Sequence, residues 1–352
     1  MSASGEKACP EPGDAPGSDE GDRLGGATLP DAVLDVRTRF RARCLRIARE
    51  RGDGSEALVA RWFASGADAA DGAPGSSTVA HVAAGERRPA RLLVVPGLFG
   101  ETVSALVAPL MCAREGLRAE GRDIDVVWLN GRAGCTRNAI RLRTVVLEKV
   151  AADGAPLDLV GYSKGCADAL HMLGDWPDTH AALRSLVSLG GIVSGTPLAA
   201  ATPRFVSRAL SSFPLPGKDR GDGRAIHDLT PAWRRRWLED HPLPEDLRRA
   251  SIVGVPSAER ISRVLKPAWH VLSALDPRND AQVAMDAAML PRGELLATVD
   301  ADHWALALPI AERSALLGRL FVTRNDFPRT VMLEALMDHL AEPRPSSTVT
   351  SS

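Results

Sequence analysis

Two rhythms of apolar positions alternate along this chain. Short, nearly continuous apolar runs at residues 91–95, 124–129, 157–160, 186–189, 251–255 and 294–299 have the length of strands buried on both faces of a sheet. Between them, apolar residues recur at helical spacing over about 101–120, 136–151, the stretch after Gly165, and 305–320, with a closing helix over 331–340. Residues 261–275 also fit a helix through Ile261, Val264, Leu265, Ala268, Leu272 and Leu275, although 270–274 alone would fit a strand. Strands alternating with helices predict βαβ units and an α/β fold, a doubly wound, mostly parallel sheet.

Outside that core the rhythm changes. Residues 1–28 are rich in Gly, Pro, Asp, Glu and Ser and read as a disordered leader. Residues 29–89 form an N-terminal helical, accessory region. Its first helix is expected to start at Pro30-Asp31 and to place Val33, Val36, Phe40, Cys44, Ile47 and Ala48 on one face. The other face carries Arg37, Arg39, Arg41, Arg43, Arg46, Arg49 and Arg51. It reads as a solvated face, with docking to an anionic membrane surface or acidic partner as the lesser alternative. A second helix is expected over 56–63 and a loop over 66–78. The core then spans 90–199 and 249–342, interrupted by a helical cap or lid insertion at 200–248, and a disordered tail runs from 343 to 352.

Composition narrows the class. The chain has 352 residues, 45% of them hydrophobic and 25% charged, with a net charge of -1, which gives no electrostatic reason to expect nucleic acid as a partner. The cysteines Cys9, Cys44, Cys112, Cys135 and Cys166 show no disulfide or metal-binding spacing, and no signal peptide or membrane-spanning run is visible. The cytoplasm is the expected location, with no cofactor, no metal and no indicated membrane contact.

The chemistry centres on Gly161-Tyr162-Ser163-Lys164-Gly165, between an apolar strand and a helix-compatible stretch. In that context Gly-x-Ser-x-Gly is a nucleophile elbow, whose glycines let strand and helix approach closely on either side of the serine. A serine hydroxyl needs a base and an oxyanion site. His303 follows the last predicted strand and precedes a helix, which puts it at the sheet's C-terminal edge and makes it the candidate base. Asp280 is favoured over Asp276 as the orienting acid, and Asp300 and Asp302 lie too close to His303 in sequence. The backbone amides of Lys164 and of Leu98, with Phe99 second, are the expected oxyanion donors. A Ser–Lys pairing through Lys164 is disfavoured because its side chain starts the following helix. Phe99, Tyr162, Trp233 and Trp237 are candidate substrate contacts. Arg234, Arg235 and Arg236 are read as a solvated face rather than an anion site.

These residues resemble the α/β-hydrolase superfamily and, within it, the lipase/esterase-like branch. The resemblance covers most of residues 90–320. It rests on Pro96-Gly97-Leu98-Phe99-Gly100, which is similar to the His-Gly-Leu-x-Gly oxyanion loop of bacterial lipases, on the elbow, and on Asp280 with Asp302-His303-Trp304. Ser194-Gly195-Thr196-Pro197-Leu198-Ala199 is similar to a stretch after the next strand in lipases and polyester depolymerases. Pro96 stands where the family usually has histidine, and the usual secretion signal is missing. The resemblance implies Ser163, Asp280 and His303 as a triad and the Leu98 and Lys164 amides as oxyanion hole. The leading reading is cleavage of a carboxylic ester through an acyl-enzyme, and Phe205, Phe213, Trp233 and Trp237 in the insertion suggest that the ester bears an apolar group. Acyl transfer or thioester hydrolysis with the same triad is the runner-up, and a non-catalytic binding protein of this fold the third reading.

Overall fold

The computed structural model describes residues 33–63, 89–98, 110–212, 219–324 and 326–343. The expected leader, the 66–78 loop, the start of the 101–120 helix, Phe99, part of the insertion and nearly all of the tail lie outside them. Among the described residues, seven parallel strands form one sheet: β1 (Leu34–Asp35), β2 (Leu92–Val95), β3 (Ile124–Val126), β4 (Leu157–Tyr162), β5 (Leu183–Leu189), β6 (Arg248–Gly254) and β7 (Glu294–Val299). Their spatial order is β1-β7-β6-β5-β4-β2-β3, so helical crossovers place layers on both faces.

The alternation along β2 shows how the sequence fills those layers. Leu92 and Val94 point into a cluster with α1 (Arg37–Arg51), α2 (Ser55–Trp62), α3 (Met111–Ala119) and the closing helix. Leu93 and Val95 point the other way, toward α4 (Cys135–Asp153) and α5 (Lys164–Asp175). Successive strand residues face opposite sides, and a strand covered on both sides is therefore apolar throughout.

The chain continues through α6 (Pro197–Ala201), α7 (Arg204–Ser212), α8 (Pro231–Asp240), α9 (Lys266–Ser273), α10 (Met285–Ala288), α11 (His303–Ala307), α12 (Ile310–Arg313), α13 (Ala315–Phe321) and α14 (Arg329–Leu340). Three sequence expectations are corrected here. The single helix expected over 305–320 is three short ones, because Pro309 supplies no amide hydrogen and Ser314 caps a new start by accepting from Leu317 N. The 261–275 stretch is helical only from Lys266, with Pro267 in its first turn. The helix expected from Pro30-Asp31, two residues outside the described ones, starts only at Arg37, and strand precedes it: Leu34 N donates to Gly293 O and Val36 N to Leu295 O, satisfying the open edge of β7.

The arginine face of α1 is not a bare solvated face. Arg39 and Arg43 pair with Glu342, Arg46 with Glu50 and Asp338, Arg49 with Glu56, and Arg51 with Glu120 and Glu334. The helix spends these charges on docking to its own chain, chiefly to α14 and the turn after it.

In the 200–248 segment, α8 packs beside α5. Trp237 is stacked between His171 and His241, at 4.2 Å and 4.3 Å between ring centroids. A Cβ on Gly174 would come within 2.6 Å of the Trp237 ring, so glycine is what admits the indole there. His171 is buried, and neither ring nitrogen finds a hydrogen-bond partner among the described residues. Burial, helped by the charges of Arg234 and Lys164, pushes its pKa down to about 2. The folded state therefore holds His171 neutral, while the unfolded chain takes up a proton below about pH 6.5. The corresponding stability is complete above that pH and is lost as pH falls toward 2, about 2 kcal/mol of it by pH 5. Replacing His171 by Phe should remove that dependence. Urea midpoints at pH 7.5 and pH 5 should diverge less for the variant than for the parent, and equal divergence would refute the assignment.

Candidate active site

β4 ends in Tyr162, and the chain turns at Ser163 into α5. Ser163 has φ 55° and ψ -127°, a conformation residues with a Cβ rarely adopt and that costs on the order of 1–3 kcal/mol. The neighbouring glycines are what make the turn fit. A Cβ on Gly161 would lie 2.4 Å from Cys166 Cα, and one on Gly165 2.1 Å from Val95 O. Both contacts are with backbone, so strand β4, helix α5 and the end of β2 meet without side chains between them. Ile192 N and Cys166 N both donate to Ser163 O, at 3.0 Å and 3.2 Å, which fixes the carbonyl.

The segment after β2 crosses directly over the serine. A Cβ on Gly97 would be 2.6 Å from Ser163 Cβ and 3.1 Å from its Oγ. The Leu98 amide, which follows, and the Lys164 amide have no acceptor among the described residues. Lys164 opens α5, where the first-turn amides have no intrahelical partner and the helix dipole is positive. The structure thus brings Gly97, Leu98, Ser163 and the start of α5 together.

His303 opens α11, where Asp302 caps the helix by accepting from Ala305 N at 2.8 Å. Its Nδ1 lies 2.7 Å from Asp280 Oδ2, both groups being buried. The other carboxylate oxygen, Asp280 Oδ1, accepts from Gln282 N and Val283 N at 2.9 Å and 2.8 Å. The main chain repeats the link, with His303 N donating to Asp280 O at 2.9 Å. The turn that presents Asp280 holds Ala281 at φ 76°. Asp276, the alternative acid, instead pairs with Arg278 in the same loop. Gly190 lies over the pair: its Cβ would be 3.1 Å from Asp280 Oδ2 and 3.4 Å from His303 Nδ1. No hydrogen bond joins Ser163 Oγ to His303 in this arrangement; such bonds commonly tighten only with substrate in place.

Tyr162 supports the histidine. Its ring stacks on the imidazole at 5.0 Å and its hydroxyl donates to His303 O at 2.9 Å. Burial, then the nearby Asp280 and Asp302 carboxylates, push the phenol's pKa well up, which keeps it a donor. Lys164 points its side chain away, with Nζ 2.6 Å from Asp168 Oδ1 in a fully buried pair. Burial opposes its charge, but the Asp168 carboxylate holds the ammonium's pKa above its usual value, so it has no basic lone pair to offer Ser163. Trp237 sits against Gly174, about 15 Å along α5 from Lys164, the residue after the serine, at 1.5 Å per residue. Trp233 packs on His227 and under Arg224. The structure brings neither tryptophan to Ser163. Arg234, expected on a solvated face, is buried and donates to Val193 O.

Sequence reasoning missed Arg329. It is buried, and its guanidinium donates to Ala305 O at 2.6 Å and Leu308 O at 3.0 Å, clamping the end of the helix that His303 begins. No pattern around it announced this. Tyr162 did carry a signal as the chain's sole tyrosine, at the elbow itself.

No helix among the described residues is long and apolar enough to cross a membrane, and among them no group of three or more His, Cys, Asp or Glu is arranged to hold a metal ion. No family profile and no curated protein sequence matches the chain. Solved structures do. A metagenomic carboxyl esterase superposes with a TM-score of 0.76 at 30% identity, over 90% of this chain and 96% of that one. A Bacillus licheniformis lipase in its mature form gives a TM-score of 0.50 at 21% identity, covering 64% and 89%. Lipase 1 from Pelosinus fermentans gives 0.53 at 11%, covering 73% and 100%. The two lipases share the fold; the esterase shares sequence as well, along nearly its whole length. The chain belongs to the lipase/esterase-like branch of the α/β-hydrolase superfamily, a family of ester-hydrolysing enzymes.

Proposed function

We propose that this chain is a serine carboxylesterase that works through an acyl-enzyme. Ser163 is the nucleophile, His303 the base, Asp280 the group that orients it, and the Leu98 and Lys164 amides the oxyanion donors. The observation that carries this reading is the 2.7 Å Asp280–His303 hydrogen bond on the same sheet edge as a serine held in a strained turn. With Nδ1 engaged by the carboxylate, Nε2 is the nitrogen left to exchange protons.

Ser163 Oγ attacks the ester carbonyl while His303 Nε2 takes its proton. The negative charge on the carbonyl oxygen is met by the two amides, which need no reorganisation as it forms. Collapse expels the alcohol, protonated by His303, and leaves the acyl group on Ser163. A water, deprotonated by the same nitrogen, then releases the acid. Tyr162 and Arg329 act as positioning residues, one beneath the imidazole and the other at the end of its helix.

A fluorophosphonate probe tests the assignment. The parent should be labelled covalently and Ser163→Ala should not, and ester turnover should vanish with the label. Equal labelling of both proteins would remove Ser163 from the mechanism. A panel of esters of increasing acyl length should favour those with an apolar group.

A further inference from the structure

We infer that the rim built from the residues before α9, α9 itself and α13 docks to an anionic lipid surface. The inference goes beyond ester hydrolysis and does not need a working Ser163.

The strands are parallel, so the ends of β6 and β7 lie on the same sheet edge as Ser163 at the end of β4. The chain leaving β6 leads to α9, and the chain leaving β7 leads through α11 and α12 to α13. The two are tied side by side: Arg263 Nη1 donates to Arg319 O at 2.8 Å, and Thr323 Oγ1 to Ile261 O at 2.7 Å.

Their outer surface is unusually apolar. Val264, Val271 and Leu275 recur at helical spacing on one exposed side, while Leu265 and Leu272 face inward. Leu316 and Leu320 stand one turn apart on α13, with Phe321 beside them. All six outward residues are at least 39% exposed, from Phe321 at 39% to Leu275 at 69%. Scattered apolar side chains on a surface need no explanation, but a group on two adjoined elements at one rim does.

The charge around this group identifies its partner. Arg263, Lys266, Arg313, Arg319 and Arg324 are all exposed, and among the described residues none has a carboxylate in ion-pair reach. In the same stretches Asp276 is taken by Arg278 and Glu312 by Arg329, which leaves Glu259 as the acid without such a partner. The contrast with α1 is direct, since six of its seven arginines pair with carboxylates of their own chain. Apolar side chains ringed by unneutralised cations match a surface of acyl chains beneath anionic headgroups. A second copy of this chain would set these cations against each other.

The test uses the full chain carrying Ser163→Ala, so that binding is read without turnover, and vesicles of phosphatidylglycerol or of phosphatidylcholine alone. Sedimentation with phosphatidylglycerol vesicles is expected, at least about tenfold stronger than with phosphatidylcholine and weakening as salt rises. Leu316→Ser with Leu320→Ser should weaken binding about tenfold or more, as should Arg313→Glu with Arg319→Glu. Ile140→Ser, on the exposed side of α4, should leave it unchanged. In the Ser163-containing chain the same rim variants should hydrolyse a short, water-soluble ester at the parental rate, which shows that they fold. No binding to either vesicle, or binding that the rim variants do not weaken, would overturn the inference. So would a dimer held together by this face that ignores vesicles.

Discussion

Asp280→Asn should lower kcat by about 10³- to 10⁴-fold with KM little changed. The size of the effect follows from the way the carboxylate is held. Asp280 Oδ1 accepts two backbone amides, from Gln282 and Val283. In the asparagine variant that position must be taken by the amide oxygen, because an NH₂ group there would face two donors. The NH₂ group then points at His303 Nδ1 and donates to it. That imidazole tautomer carries its proton on Nε2, where it cannot take one from Ser163. The turn keeps its shape, so binding survives while proton transfer does not. Asp276→Asn supplies the comparison: its carboxylate serves Arg278, and activity should stay within about twofold, the surface pair being worth little. Steady-state kinetics on both variants decides the matter. A greater loss from Asp276→Asn would exchange the two roles and sink this account of the loop.

The second large effect is on stability and comes from a single methyl group. In Gly165→Ala the new Cβ would sit 2.1 Å from Val95 O and 2.6 Å from Pro96 O. Both are backbone atoms at the end of β2, so no rotamer change relieves the clash. Helix α5 must move off the sheet, at a cost of about 3 kcal/mol or more. The same movement carries the Lys164 amide away from Leu98, and a displacement near 1 Å can cost roughly 10²-fold in rate. The folded fraction of Gly165→Ala should therefore be both less stable and slow. Gly116, inside α3, has no atom within 4 Å of its hypothetical Cβ. The identical substitution there should stabilise by roughly 0.5–1 kcal/mol through reduced freedom of the unfolded chain. Thermal unfolding of the two alanine variants should move in opposite directions. A Gly165→Ala variant as stable and active as the parent would mean that the elbow is not the tight junction described.

The elbow was legible in the sequence because its requirement is local. Strand, turn and helix follow one another without interruption, and a glycine on each side of Ser163 leaves its mark on the chain. His303 and Asp280 were legible for a related reason: loops at one edge of a parallel sheet follow the strands in a fixed order. What could not be read depends on partners distant in sequence. An arginine on α1 looks the same whether it meets water or Glu342, and only the fold brings α14 beside it. Trp237 looked like a pocket wall because large apolar residues outside the core suggest one, whereas the space that Gly174 leaves on α5 turned it into a wedge. Tyr162 shows both sides of this. Its place next to Ser163 marked it as important, but its use, holding His303 from beneath, required β7 to arrive. The two-residue strand β1 is too short for any periodicity to declare it.

That short strand has a consequence for the order in which the molecule can be assembled. Leu34 and Asp35 pair with Glu294 and Leu295, and Phe40, Cys44 and Ile47 are buried in one cluster with Leu333, Leu336 and Leu340. A ribosome makes the first group long before the second. Until α14 has emerged, the apolar side of α1 lacks the Leu333, Leu336 and Leu340 side chains that complete its cover, and until β7 has emerged β1 has no strand to pair with. The nascent chain must carry part of an amphipathic face uncovered while the strands between are made, and adding β1 to the sheet is a long-range event.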